Sequence, residues 1–193
     1  MNFIEYYERN RQEKLRGNYI IEAPEGFGKT TILKGMYNRY KEQLTMGTGN
    51  IIPIYIRLAD INVKSREDLI DGIILEFVRE QFYSSDEYGI IKTSIQTMIR
   101  DNSQYKFLFL LDGLNEVINR ELEMGGCCVL DVLNNDFKKR CSDDKCFFDY
   151  PNVDIVVTTR KSSYIKEELL EKQADHEHRY FRVVKLEKLH LDV

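Results

Sequence analysis

Short runs of consecutive apolar residues alternate along the chain with stretches in which apolar residues recur every three to four positions. The first pattern marks strands buried on both faces and the second marks amphipathic helices. Their alternation predicts an α/β fold, a parallel sheet flanked by helices. The first strand is expected in NYIIEA, residues 18–23. A helix follows from about Lys29, with Ile32, Leu33, Met36, Tyr37, Tyr40 and Leu44 on its apolar side. GTGN at 47–50 ends that helix. IIPIYIRL at 51–58 is the second strand, and Pro53 donates no ladder hydrogen bond, which places this strand at a sheet edge.

Ser65 stands as N-cap of a further helix burying Leu69, Ile70, Ile73 and Phe77, with Val78 beside them, and another helix is expected over YGIIKTSIQTMIRD, 88–101. KFLFLLD at 106–112 reads as a central strand whose closing carboxylate, Asp112, lies at the carboxyl edge of the sheet, where ligands bind in such folds. Beyond residues 124–150, the strand VDIVVTT, a helix around SSYIKEELLEK and the strand YFRVVKLE bring the expected total to five strands. Residues 1–17 form a helical lead-in and 18–193 a single core domain.

Composition narrows the partners. The 193 residues are 42% hydrophobic, enough for a sizeable core, and the formal charge of -4 is spread without a basic patch, which argues against direct nucleic-acid binding. MNFIEYYERNRQEKLRG lacks the apolar centre of a signal peptide, and no apolar run reaches membrane-spanning length, so a cytoplasmic protein without a membrane partner is expected. Cys127, Cys128, Cys141 and Cys146 do not form a zinc-ligand frame and read as reduced thiols. His176 and His178 alternate in ADHEHRY and read as part of an exposed polar loop.

The chemistry concentrates between the first strand and its helix, in APEGFGKTT. A phosphate-binding loop needs inward-facing backbone N–H groups, small residues where the chain curls, a helix N-terminus, and a lysine for the outer phosphates. Gly26, Gly28, Lys29 and Thr30 supply these in order. In the pattern G-x-x-x-x-G-K-[ST] the first glycine is replaced by Ala23, at a conformational cost if that position needs a positive φ, and Glu25 is expected to face solvent. Thr30 and Asp112 are the expected Mg²⁺ residues, and Glu116 the group that orients or deprotonates an attacking water. Thr158, Thr159 and Arg160 end another buried strand within reach of a γ-phosphate.

Together APEGFGKTT, IIPIYIRL, FLFLLDGLNE and IVVTTR resemble the NACHT domains of the STAND class of signal-transducing P-loop NTPases, found in NOD-like immune receptors and bacterial antiphage proteins. The resemblance covers most of the chain, and its most specific segment is D-G-x-[DN]-E, residues 112–116. It implies a three-layer sandwich around a five-stranded parallel sheet in order 5-1-4-3-2, and a switch held off with ADP that oligomerises with ATP in the full-length setting. On this resemblance Ala23, Pro24, Glu25, Gly26, Phe27, Gly28, Lys29, Thr30 and Thr31 form the Walker A loop, Thr30 and Asp112 hold Mg²⁺, and Arg160 senses the γ-phosphate. No segment separates adenine from guanine, so GTP stays open beside ATP and ADP.

Family members often carry a second acid where this chain has Asn115, which leaves a slow hydrolysis resting on Glu116. The chain stops at EKLHLDV, about where the family's helical lid begins. The expectation is therefore a core lacking lid, winged helix, effector and sensor domains, its nucleotide site open to water on one side. Ala23, Glu25 and Asn115 motivate a competing reading, an interaction scaffold with a degraded site. A P-loop kinase is disfavoured because no arginines are arranged as a lid, and an AAA+ motor because neither an arginine-finger segment nor a small helical lid is evident.

Overall fold

A computed structural model describes residues 2–12, 18–61, 73–74, 77, 85–101, 104–117, 152–161 and 181–186. Helix α1 spans Phe3–Gln12, strand β1 Tyr19–Glu22, helix α2 Lys29–Thr45, strand β2 Ile51–Arg57, helix α3 Ser85–Arg100, strand β3 Lys106–Asp112, strand β4 Val153–Thr159 and strand β5 Arg182–Lys185. All paired strands run parallel, in the order β5-β1-β4-β3-β2 from edge to edge. This is the expected 5-1-4-3-2 sheet, with the Pro53 strand on the edge.

The two-residue period of a strand sorts the core into two layers. Phe107, Phe109 and Leu111 of β3 face one side with Ile54 and Ile56 of β2 and Ile155 and Val157 of β4, covered by Ile95 and Ile99 of α3 and by the helical residues Ile73 and Ile74. Leu108 and Leu110 face the other side with Ile21, Tyr55 and Val156, covered by Leu33, Met36 and Tyr40 of α2 and Phe3 and Tyr7 of α1. Residues 107 to 112 are all buried, as a central strand sheathed on both faces requires.

The ends of four elements differ from the sequence reading. β1 ends at Glu22 and β5 spans only Arg182–Lys185, because their mutual ladder covers four residue pairs. β2 ends at Arg57, and Leu58–Asp60 turn as a 3₁₀ segment. α3 begins at Ser85, three residues before Tyr88, and the exposed Glu87 in its first turn is an acid of the kind a helix N-terminus favours. The expected helix N-cap Ser65, the helix around 162–172, the four cysteines and the paired histidines lie outside the described residues. Among the described residues no helix is long and apolar enough to cross a membrane.

At the amino end of the sheet, away from the phosphate-type loop, Asp154 is buried on β4. Its Oδ2 accepts the Tyr7 hydroxyl at 2.7 Å and lies 2.8 Å from Lys106 Nζ. Burial pushes the Tyr7 hydroxyl's pKa well up, with the Asp154 carboxylate adding to it, so the group stays a donor and pins α1 to the sheet. Removing the cation leaves a buried carboxylate undercompensated. Lys106→Met is expected to cost about 2–3 kcal/mol of stability, read as a lower urea midpoint at unchanged slope.

Candidate functional site

The loop between β1 and α2 curls where glycine permits it. Gly26 and Gly28 adopt φ of 78° and 77°, and a Cβ at either would meet nothing within 4 Å, so glycine is required there for conformation and not for space. Ala23 does not take part in the curl. Its N–H donates to the Thr159 carbonyl at 3.2 Å, carrying the β1–β4 ladder one residue past the strand. The loss of the first glycine is thus explained, because this position is part of the sheet. Gly28 then caps α2 in the left-handed conformation, and the first-turn N–H groups of that helix face an open cavity.

That cavity has a volume of about 470 Å³ and sits at the carboxyl edge of the sheet. Glu25, Gly26, Gly28, Lys29, Thr30 and Thr31 line its loop side. Asp112, Glu116, Thr158 and Arg160 complete the lining, whereas Thr159, expected within reach of a γ-phosphate, is buried outside it with its hydroxyl donating to the Arg160 carbonyl at 3.1 Å. Of the remaining loop residues, Ala23 is in the ladder, Pro24 offers its carbonyl to Lys29, and Phe27 is half-buried behind the loop without lining the cavity.

Lys29 Nζ donates to the carbonyls of Ala23 and Pro24, each at 2.7 Å, which folds the ammonium back across the start of the loop. Burial lowers its pKa, the neighbouring Arg160 lowers it further, and Asp112 and Glu25 pull it back up. Phosphate oxygens in the cavity would favour the charged ammonium and offset both lowering causes by their negative charge. Thr30 Oγ1 donates to Asp112 Oδ2 at 2.7 Å, and the Tyr55 hydroxyl donates to the same oxygen at 3.1 Å. Thr158 donates to Asp112 Oδ1 and accepts the Gly113 N–H at 3.0 Å, so the carboxylate is held by three hydroxyls.

Gly113 takes φ of 87°, turning the chain directly after Asp112, and a Cβ there would come 3.4–3.6 Å from the Glu116 carboxyl group. The same turn brings Asn115 Oδ1 to accept the Arg160 N–H at 3.2 Å. Asn115, where the resemblance leads one to look for an acid, is therefore a tie between the turn after β3 and the end of β4. Glu25 is mostly exposed, yet it lines the cavity, and its Oε2 is 3.0 Å from Arg160 Nη2. With 77% and 48% of the two side chains exposed, this ion pair is a weak one.

Tyr55, Lys34 and Arg57 also line the cavity and were not singled out in the sequence. Each had a faint signal. Lys34 follows Thr30 by four positions on one face of α2, and Arg57 ends β2 opposite Asp112 in the β2–β3 register. Tyr55 is a hydroxyl inside an otherwise apolar edge run, a group that needs a polar partner once buried.

Thr30 and Asp112 present hard oxygen atoms side by side beneath the helix N-terminus, a set that suits Mg²⁺ bound through one carboxylate, waters and substrate phosphates. Among the described residues there is no group of three or more His, Cys, Asp or Glu that could hold a metal ion.

No family model matches this chain, and no curated protein does. Solved structures do. The Aeropyrum pernix ORC2 protein in ADPNP–ADP complexes superposes with a TM-score of 0.52 at 15% identity, over 94% of this chain and 44% of that one. Its ADP form gives 0.52 at 13%, over 94% and 45%. The A. pernix ORC1 protein in complex with DNA gives 0.51 at 15%, over 95% and 45%. The fold is that of a P-loop NTPase. The chain spans less than half the length of each of these proteins. At such identities the likeness concerns the fold.

Proposed function

We propose that this chain is the nucleotide-binding core of a P-loop switch NTPase that takes ATP and ADP with Mg²⁺. One observation carries the reading. Lys29, Thr30, Asp112, Glu116 and Arg160, drawn from three separate sequence segments, converge on one cavity against a helix N-terminus. Lys29 and the loop amides would hold the phosphates, Thr30 and Asp112 the metal, and Arg160 would answer to the γ-phosphate. A bound Mg²⁺ supplies charge neutralisation at the phosphates. The protein's own part is to orient the nucleotide and, through Glu116, to position and deprotonate a water.

The NACHT type is favoured by the D-G-x-N-E segment, whose glycine makes the left-handed turn that aligns Glu116 and lets Asn115 hold the Arg160 backbone. Nucleotide-controlled self-association in a longer protein, and a signalling role such as immune or antiphage defence, follow from that resemblance and are part of the proposal. The likeness to the ORC proteins favours a second reading, an AAA+ ATPase completed by a neighbouring subunit. That reading expects hydrolysis per chain to climb steeply with protein concentration, whereas the switch reading expects a slow rate that does not.

The first test is thermal. Mg²⁺-nucleotide at 100 times its dissociation constant stabilises the folded state by about 2.7 kcal/mol, which for a domain of this size is a rise of roughly 5–10 °C. No rise with any nucleotide would remove the reading. The Glu25–Arg160 ion pair gives a second expected result. Glu25→Gln frees the guanidinium and takes a negative charge from the loop, so ATP affinity should rise about two- to fivefold and ADP affinity less. Equal gains for both nucleotides would mean that Arg160 does not face the γ-phosphate.

A further inference from the structure

Asp112 Oδ2 accepts two hydroxyl protons, from Thr30 at 2.7 Å and from Tyr55 at 3.1 Å, and a carboxylate oxygen has about two lone-pair sectors to offer. The two donors differ in what they can do next. Thr30 stands at the start of α2 on the cavity wall, and to present its oxygen to a cation its hydroxyl must turn its proton away from Asp112. Tyr55 is held in place by its surroundings. It is only 9% exposed, its ring packs against Tyr37 with centroids 6.3 Å apart, and Lys34 Nζ lies 6.0 Å from its ring centroid. It is also anchored on β2, the strand directly paired with the one that ends at Asp112.

We propose that Tyr55 is a positioning residue of the Mg²⁺ site. Its hydroxyl, with that of Thr158 on Oδ1, holds the Asp112 carboxylate in one orientation when the Thr30 hydroxyl turns to the metal. One lone-pair sector of Oδ2 then opens towards the cavity for a metal-bound water, while the other stays occupied by the tyrosine. The carboxylate does not swing, and its ordering cost is met before metal and nucleotide arrive. The proposal rests on the nucleotide reading above, and it gives the edge strand a part in the chemistry beyond closing the sheet.

The test is Tyr55→Phe, which removes the hydroxyl and keeps the ring. ADP and ATP are titrated calorimetrically into wild type and variant, first with EDTA and then over a series of Mg²⁺ concentrations, with Lys29→Ala run alongside. The variant should bind metal-free nucleotide as wild type does, while the Mg²⁺ concentration needed for half of the metal's effect rises about tenfold, the loss expected for one hydrogen bond to a charged acceptor. An unchanged Mg²⁺ requirement overturns the role of Tyr55 and leaves the nucleotide site standing. An equal loss of affinity with and without metal, together with a lower melting temperature of the free protein, shows a structural role and also overturns it. Wild type that binds no nucleotide, or binds it as well after Lys29→Ala, overturns both the proposal and the reading it rests on.

Discussion

Glu116→Gln is expected to lower nucleotide hydrolysis by about 10²- to 10⁴-fold while leaving nucleotide affinity within about twofold of wild type. The substitution keeps the size of the side chain and removes only its ability to accept a proton. Of the other carboxylates that line the cavity, Asp112 accepts three hydroxyls, and Glu25 is drawn towards Arg160 by an exposed, weak ion pair. Asn115 is an amide and its oxygen is occupied by the Arg160 N–H. Glu116 is exposed in the helical residues 114–117 that follow β3, with its carboxyl group beside Gly113, and it lines the cavity. Single-turnover phosphate release measures the rate, and calorimetry measures the affinity. Parallel losses in both would show that the side chain supports the turn and does not act on water.

The second large effect concerns Lys29. Lys29→Ala should weaken ATP binding about 100-fold, the sum of two charge-assisted hydrogen bonds to phosphate oxygens. In the free protein the same ammonium donates to two loop carbonyls near the surface, so the stability of the free protein should change little. A pH dependence follows from its environment. Burial and Arg160 depress the Lys29 pKa in the free protein, and bound phosphate favours the charged form. Affinity should therefore hold at lower pH and fall as the pH rises towards 10.5 through the depressed Lys29 value, with proton uptake on binding in that interval. Lys29→Arg, which is not depressed in this way, should flatten the alkaline fall.

Most of the sheet was legible because a central parallel strand leaves a clear trace. KFLFLLD and VDIVVTT are nearly continuous apolar runs, and they became strands buried on both faces. Pro53 marked the edge strand by the hydrogen bond it cannot make. Strand and helix ends were less legible. Where β5 stops depends on its four-pair ladder with β1, a long-range contact that local pattern does not encode.

In the site, the loop, Asp112, Glu116 and Arg160 were singled out from the residue types and spacing that phosphate and metal require, and the fold brings them to one cavity. Four contacts could not. Tyr55 lies 57 residues from Asp112, and its hydroxyl meets the carboxylate only through the β2–β3 pairing. Asn115 looked like a missing acid and is a backbone tie. Ala23 looked like a damaged glycine and is a ladder residue. The Glu25–Arg160 pair joins two segments that were judged separately, one as a solvent-facing acid and the other as a γ-phosphate sensor.

The central claim is that the cavity at the carboxyl edge of the sheet is a working nucleotide site despite Ala23 and Glu25. Calorimetric titration of wild type with Mg²⁺ and ADP, ATP or a non-hydrolysable ATP analogue tests it most directly. The expected result is binding of one nucleotide per chain that is lost or weakened about 100-fold in Lys29→Ala. No heat of binding in wild type, or the same affinity in both proteins, would contradict it.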